Sequence, residues 1–240
     1  MKRGNSQTET GKEAFFGTNM QRRQFIQLSG ASALTIGVIS CKKDEDTNDG
    51  KPYVNTDNTI DFKDDNGLFN YIYALEQLEA AFYIKVAEKF PAAFTPAQQL
   101  LFNEIKLHEI THREFFKRFL NTIGIANLEV DFSSIDFNDA TAVLTAAKTF
   151  EDLGVAAYND ALTRARAEYS LTILSQLVSI EARHAAFVGS QLNAAGFANL
   201  NELSALGADV SNGLDVSLAP AQVLVQATKY IKTKLNVINL

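Results

Sequence analysis

The sequence predicts an all-α fold, a four-helix bundle made of a duplicated helical hairpin and followed by a fifth helix. Between residues 66 and 194, apolar side chains recur every three or four positions, which is the period of a helix that buries one face. The pattern Leu-Asn-x-x-Gly-x-Ala-Asn-Leu occurs twice, at residues 120–128 and 192–200, with an offset of 72. The 240 residues, 46% of them hydrophobic, suit one domain with a substantial core.

The first hairpin combines two predicted helices with clear ends. The first helix is expected from about residue 67 to residue 89, where Phe90-Pro91 stops it. The second helix opens at residues 95–98, Thr-Pro-Ala-Gln. In this segment Thr is a good N-cap, Pro suits the first turn and Gln completes a capping box. This helix should continue to Asn121, and Gly124 should end it.

The second hairpin repeats this arrangement. A third helix is expected from about Asn138-Asp139 to Arg164, and a fourth from about residue 168 to residue 193, with Gly196 as its stop. Residues 219–222, Ala-Pro-Ala-Gln, open a fifth helix near the C-terminus.

A long connection, residues 125–137, joins the two hairpins. Fully extended, it could span about 43 Å, whereas a helix of about 26 residues is about 39 Å long. The connection can therefore run back along the bundle, which would make the second and third helices parallel. One such crossover is a known topology of four-helix bundles.

Two Glu-x-x-His motifs, 72 residues apart, mark a candidate metal site. Residues at i and i+3 share one face of a helix, and each hairpin carries a further glutamate about thirty residues upstream at the same height from its turn. A lone motif would indicate ordinary surface residues, but two matched copies supply four carboxylates and two imidazoles, the ligand set of a two-metal site. Buried together, the carboxylates would need cations to neutralise them. The six candidate ligands are Glu76, Glu109, His112, Glu151, Glu181 and His184.

Three neighbouring residues have weaker claims to the site. Glu79 lies one turn beyond Glu76 and could be an extra or shifting ligand, although the repeat aligns it with Gly154. Tyr83 and Tyr158 lie two turns beyond the upstream glutamates and could hydrogen-bond ligand carboxylates. For the tyrosines, the alternative is simple packing at the edge of the core.

Residues 108–112 also spell His-Glu-x-x-His, the helix motif of zinc proteases. His108 has no counterpart in the second half, where Ile180 stands, and no third zinc ligand is evident. The zinc interpretation would also leave the second Glu-x-x-His motif unexplained. His108 is therefore expected to be a flanking polar residue.

The N-terminus predicts export. Arg22-Arg23 precedes an apolar run, residues 28–39, that is too short to span a membrane. Residues 38–41, Val-Ile-Ser-Cys, resemble a lipoprotein processing box that ends at the single cysteine. We therefore expect a twin-arginine-type lipoprotein signal (1–40), a lipid anchor on Cys41, a disordered tether (41–65) and the bundle domain (66–240). The chain would then be anchored to the bacterial cell envelope; the alternative is a short uncleaved anchor, and Met20 is an alternative start.

Composition excludes several classes of function. The net charge of −6 disfavours nucleic acid as a partner. One cysteine allows neither an intrachain disulfide nor a thiolate metal site. The sequence leaves open whether the protein forms a homodimer.

Residues 150–158 (Phe-Glu-Asp-Leu-Gly-Val-Ala-Ala-Tyr) and 180–186 (Ile-Glu-Ala-Arg-His-Ala-Ala) resemble the third- and fourth-helix signatures of the bacterial ferritin-like domain family. That family contains exported, desiccation-related-type proteins, and the resemblance covers about residues 66–235. It implies a ferritin-like four-helix bundle with a di-iron or di-manganese centre. All six ligand positions are present, but the family does not define a substrate.

The ligand set favours iron, with manganese as the alternative, over copper. Two such ions can bind O2 or peroxide between them, so the expected chemistry is Fe(II) oxidation or peroxide removal. The alternative is a non-catalytic bundle for stress protection or interaction, in which metal is structural or absent.

Overall fold

The computed structural model describes residues 58–240. Its main elements are four long helices: α1 (Asp65–Glu88), α2 (Pro96–Leu120), α3 (Ala140–Arg164) and α4 (Glu168–Leu192). Each begins and ends within two residues of its predicted position, which confirms the all-α bundle. The predicted signal segment, Cys41 and residues 41–57 of the predicted tether lie outside the described residues. Within residues 58–240, no helix combines the length and apolar character that a membrane span requires.

Side-chain caps fix the starts of α2 and α3. Thr95 and Gln98 form the predicted capping box of α2: the Gln98 amide N–H donates to Thr95 Oγ1 at 3.2 Å and the Thr95 amide N–H donates to Gln98 Oε1 at 2.9 Å. Asp139 caps α3 by accepting from the amide of Thr141 at 2.8 Å. The carboxylate of Asp65, in the first turn of α1, accepts from the amide of Ala167 at 2.9 Å just before α4. This last bond joins the two hairpins at one end of the bundle.

Facing side chains give the helix directions. The pairs are Phe69–Phe116 and Tyr83–Phe102 between α1 and α2, and Glu76–Tyr158 and Tyr83–Glu151 between α1 and α3. In both sets the residue number falls on one helix as it rises on the other, so α1 is antiparallel to α2 and to α3. Consequently α2 and α3 are parallel, and the predicted long crossover is confirmed.

Buried polar and aromatic side chains hold the crossover against the bundle. Asn70 Oδ1 accepts from the amide of Ile125 at 2.7 Å, and Gln77 Oε1 accepts from the amide of Leu128 at 2.8 Å. Farther along, Phe132 packs edge-on against the fully buried Phe82, with ring centroids 5.9 Å apart. Because these two amides are paired, they can lie against the core without an unsatisfied hydrogen-bond donor.

The C-terminal segment closes the fold. The predicted fifth helix is short, α5 (Pro220–Ala227), and it packs against α3. Strand β2 (Asn236–Ile238) pairs in parallel with β1 (Thr59–Asp61). The predicted tether boundary at residue 65 is therefore wrong, because pairing with β2 orders the chain before α1. Gly67 allows β1 to lie close to the start of α1, because a Cβ at position 67 would stand 1.8 Å from the carbonyl oxygen of Asp61.

Candidate metal centre

The structure brings the six predicted ligands together in the middle of the bundle. Each long helix contributes through its inner face, α1 and α3 with one glutamate each, α2 and α4 with one Glu-x-x-His motif each. The four glutamate residues are 0% exposed, and His112 and His184 are 7% and 4% exposed. Such burial of four carboxylates is costly without compensating cations.

The ligand atoms form two groups of four. Glu76 and His112 belong to one group, Glu151 and His184 to the other, and Glu109 and Glu181 belong to both. In each group the contributing atoms all lie within 4.8 Å of one another. Either group could hold a metal ion. The two shared residues are the glutamates of the two Glu-x-x-His motifs.

The two groups are arranged symmetrically. Nδ1 of His112 lies 2.8 Å from Oε1 of Glu181, and Nδ1 of His184 lies 2.8 Å from Oε1 of Glu109. Each imidazole is thus closest to the shared glutamate of the other hairpin. The upstream glutamates are slightly farther away, at 3.4 Å for Glu76 and His112 and 3.6 Å for Glu151 and His184.

The carboxylate oxygens and imidazole nitrogens directed into this cluster form no hydrogen bonds. The two imidazole Nδ1 atoms approach carboxylate oxygens closely, but none of these contacts has hydrogen-bond geometry. Buried polar atoms are nearly always paired, so a group left unpaired needs an explanation. Atoms that converge on a common point without bonding to one another fit metal ligands. The unpartnered atoms are Glu76 Oε2, both oxygens of Glu109 and Glu181, Glu151 Oε2, and Nδ1 of His112 and His184.

The cluster perturbs its own protonation. Burial and the charge of Glu181 raise the pKa of Glu109 well above its ordinary value of 4.5. Burial opposes charging of His112, but the carboxylates of Glu76 and Glu181 outweigh it and hold the pKa of His112 well above 6.5. Burial likewise opposes ionisation of Glu181, yet the adjacent His112 and His184 lower its pKa to about 2. Without bound metal, protons on the imidazoles and on Glu109 would therefore offset part of the carboxylate charge.

Two tyrosines hold the upstream glutamates in place. The hydroxyl of Tyr83 on α1 donates to Oε1 of Glu151 on α3, and the hydroxyl of Tyr158 on α3 donates to Oε1 of Glu76 on α1. The sequence left open whether these tyrosines bond ligand carboxylates or only pack at the edge of the core, and the structure shows both bonds. It adds that each bond crosses from one hairpin to the other. In each upstream glutamate, the second oxygen is left free to point into the cluster.

Comparison with known families identifies the fold. The ferritin-like domain model matches residues 64–194, which is more than half of the chain and contains all six candidate ligands. The chain belongs to the ferritin-like domain family. This confirms the resemblance in the two helix signatures. No curated protein matches the chain.

Within this ferritin-like domain, Glu79 lies outside both ligand groups. Its side chain is buried, and Oε1 stands 2.7 Å from the point where a Cβ on Gly154 would be. The internal repeat aligns Glu79 with Gly154. The Glu79 carboxylate therefore occupies the space that a side chain at Gly154 would need. Burial, followed by the charges of Glu181 and Glu109, raises the pKa of Glu79 well above 4.5. A role for Glu79 as an extra ligand stays a prediction.

His108 has a contact that the sequence did not reveal. Its exposed ring stacks on His184, with centroids 5.2 Å apart and planes inclined at 19°. Nδ1 of His108 lies 2.9 Å from Nε2 of His184. His108 belongs to neither ligand group, so the structure gives no support to a zinc-protease arrangement among the described residues. The sequence spacing could have indicated that His108 lies beside the cluster, because His108 and His112 are four residues apart and share one face of α2.

Proposed function

We propose that this ferritin-like protein binds two metal ions, with iron preferred and manganese as the alternative, and uses them for Fe(II) oxidation or peroxide removal. The observation that carries the proposal is a set of buried oxygen and nitrogen atoms that form no hydrogen bonds and converge from six side chains on four helices. A cluster built only for stability would pair these atoms with one another or replace them with apolar groups.

The proposed roles follow from the two groups. Glu109 and Glu181 would bridge both ions, Glu76 and Glu151 would each bind one ion, and His112 and His184 would each supply one imidazole through Nδ1. This carboxylate-rich set suits iron or manganese. When bound, such a pair of ions supplies redox chemistry toward O2 or peroxide. The protein's part is to fix the carboxylates through the two tyrosines and to exclude bulk water.

Apolar side chains give the site its dry surroundings. Phe102, Ile105 and Phe116, all on α2, are buried at 5% exposure or less. They lie one or two turns from the ligands of that helix. A site enclosed in this way strengthens the electrostatic interactions within it and protects reactive species from side reactions.

The proposed location rests on the N-terminal sequence. The paired arginines, the short apolar run and the single cysteine that follows it support export and lipid attachment at Cys41. Mass spectrometry of the mature N-terminus from membranes should show a lipid-modified Cys41, and Cys41→Ser should release the protein into the soluble fraction. An unmodified N-terminus at Met1 or Met20 would refute the anchor.

The proposed activity can be tested with purified protein. Wild type loaded with Fe(II) should consume O2 or H2O2, whereas Glu109→Gln/Glu181→Gln should bind little metal and lose this activity. Glu104→Gln removes an exposed carboxylate from the same helix and serves as the matched control. If wild type retains its metal but consumes neither oxidant, the non-catalytic alternative is correct. If Glu109→Gln/Glu181→Gln carries as much metal as wild type and Glu104→Gln, the site assignment is wrong.

A further inference from the structure

The contact between His108 and His184 links the cluster to the protein surface. His184 lies on α4 and is 4% exposed, whereas His108 lies on α2 and is exposed. Nδ1 of His184 faces the carboxylates of Glu109 and Glu151, at 2.8 and 3.6 Å. Nε2, on the opposite side of the ring, faces Nδ1 of His108 at 2.9 Å. The two nitrogens of His184 therefore face different groups, Nδ1 the carboxylates and Nε2 the ring of His108.

This arrangement determines which nitrogen of His184 can bind a metal. In a neutral imidazole one nitrogen carries hydrogen and the other accepts. If the Nε2–H of His184 donates to Nδ1 of His108, then Nδ1 of His184 is bare and directed at the carboxylates. A partner on the far nitrogen of a metal-binding histidine fixes its tautomer and ring orientation and makes it a stronger donor.

The other half of the site lacks this support. The 72-residue offset places Ile180 at the position equivalent to His108. An isoleucine side chain cannot accept a hydrogen bond, so position 180 offers Nε2 of His112 no acceptor. The two ligand groups thus contain the same types of ligand. They differ in the residue next to Nε2 of the histidine, which is His108 for His184 and, by the repeat, Ile180 for His112.

We propose that His108 is a positioning residue that makes the His184 metal position the tighter of the two. This inference rests on the proposed two-metal site and concerns the difference between its halves. The ion bound by Glu151 and His184 would enter first, and the ion bound by Glu76 and His112 would follow with lower affinity.

Stepwise titration of the metal-free full-length protein with Mn²⁺ tests the proposal. Binding is followed by calorimetry and by the electron paramagnetic resonance spectrum of the singly loaded form. Wild type should show two unequal steps. His108→Phe keeps the stacked ring but removes the acceptor, and it should weaken the tighter step by about 10- to 100-fold. The spectrum of the singly loaded form should change as well.

Two further variants separate positioning from a general structural effect. His108→Asn places an oxygen acceptor near the position of Nδ1 and should restore most of the affinity. Ile180→His should strengthen the weaker step. The proposal is overturned if His108→Phe leaves both steps unchanged or weakens them equally. Failure of wild type to bind Mn²⁺ at all would overturn the two-metal site as well, so the two failures are distinguishable.

Discussion

Tyr83 on α1 donates a hydrogen bond to Glu151 on α3, so a residue of the first hairpin holds a candidate ligand of the second. The equivalent bond from Tyr158 to Glu76 runs in the opposite direction. Neither hairpin therefore contains a complete site, although each carries the full set of residue types. The candidate metal centre is complete only when both copies of the duplicated unit pack against each other.

Replacing Tyr83 with Phe should weaken metal binding by about 10- to 100-fold, because Glu151 would lose the bond that orients it. Tyr158→Phe should have a similar effect through Glu76. The matched control is Tyr71→Phe, since the hydroxyl of Tyr71 is buried on the same helix and has no hydrogen-bond partner. Equilibrium dialysis with Mn²⁺ measures the affinities. Equal affinities for Tyr83→Phe and Tyr71→Phe would show that the bond to Glu151 plays no part in binding.

Glu79→Gln should leave the metal content unchanged and should not destabilise the metal-free protein. The substitution keeps the shape of the side chain beside Gly154 and removes a carboxylate whose ionisation is opposed by burial and by Glu181 and Glu109. Elemental analysis and urea unfolding of both proteins provide the comparison. Loss of bound metal would instead show that Glu79 is an additional ligand.

The stability of the metal-free protein should fall as the pH rises from about 5 to about 8. Burial and Glu181 raise the pKa of Glu109 above 4.5, and Glu76 and Glu181, acting against burial, raise that of His112 above 6.5. Groups with raised pKa values hold protons more tightly when folded. Their contribution to the stability of the fold is complete at pH values below their unfolded-state pKa. It is lost as the pH rises through their folded-state pKa.

Glu181 acts in the opposite direction, but its pKa of about 2 confines its effect to pH values below 4.5. Metal ions replace the protons, so the stabilisation that metal provides should grow with pH. Urea unfolding with chelator and with Mn²⁺ across the pH range measures both trends. Metal-free stability that climbs between about pH 5 and about pH 8 would contradict this electrostatic description.

Phe82→Ala should lower the free energy of unfolding by about 3–5 kcal/mol. The ring of Phe82 is fully buried and packs edge-on against Phe132 of the crossover and Phe150 of α3, with centroids 5.9 and 5.0 Å away. Leu100→Ala, at a side chain that is 61% exposed, should change stability by less than about 0.5 kcal/mol. Similar losses for the two variants would mean that the crossover does not pack as described.

Most of the bundle could be predicted because its signals are local. The capping box at Thr95 and the apolar period of each helix depend only on neighbouring residues. The six candidate ligands could be chosen because the internal repeat supplied a second copy of each motif. In the same way, the repeat aligned Glu76 with Glu151, and only these two upstream glutamates join the ligand groups.

The features that sequence reasoning missed depend on distances between elements far apart in the chain. Strand β1 pairs with β2, which lies near the opposite end of the domain sequence. Three-residue strands are too short to show a recognisable sequence pattern. The contact of His108 with His184 depends on how closely α2 approaches α4. The repeat gave no hint of this contact, because Ile180 occupies the equivalent position.

Anomalous diffraction from crystals of the protein loaded with Fe(II) or Mn²⁺ would locate the bound ions. We expect two peaks per chain, about 3.5–4 Å apart. One should lie among Glu76, Glu109, His112 and Glu181, and the other among Glu109, Glu151, Glu181 and His184. Both peaks should vanish in Glu109→Gln/Glu181→Gln. Absence of anomalous density at these six side chains in fully loaded wild-type crystals would show that they do not form a two-metal site.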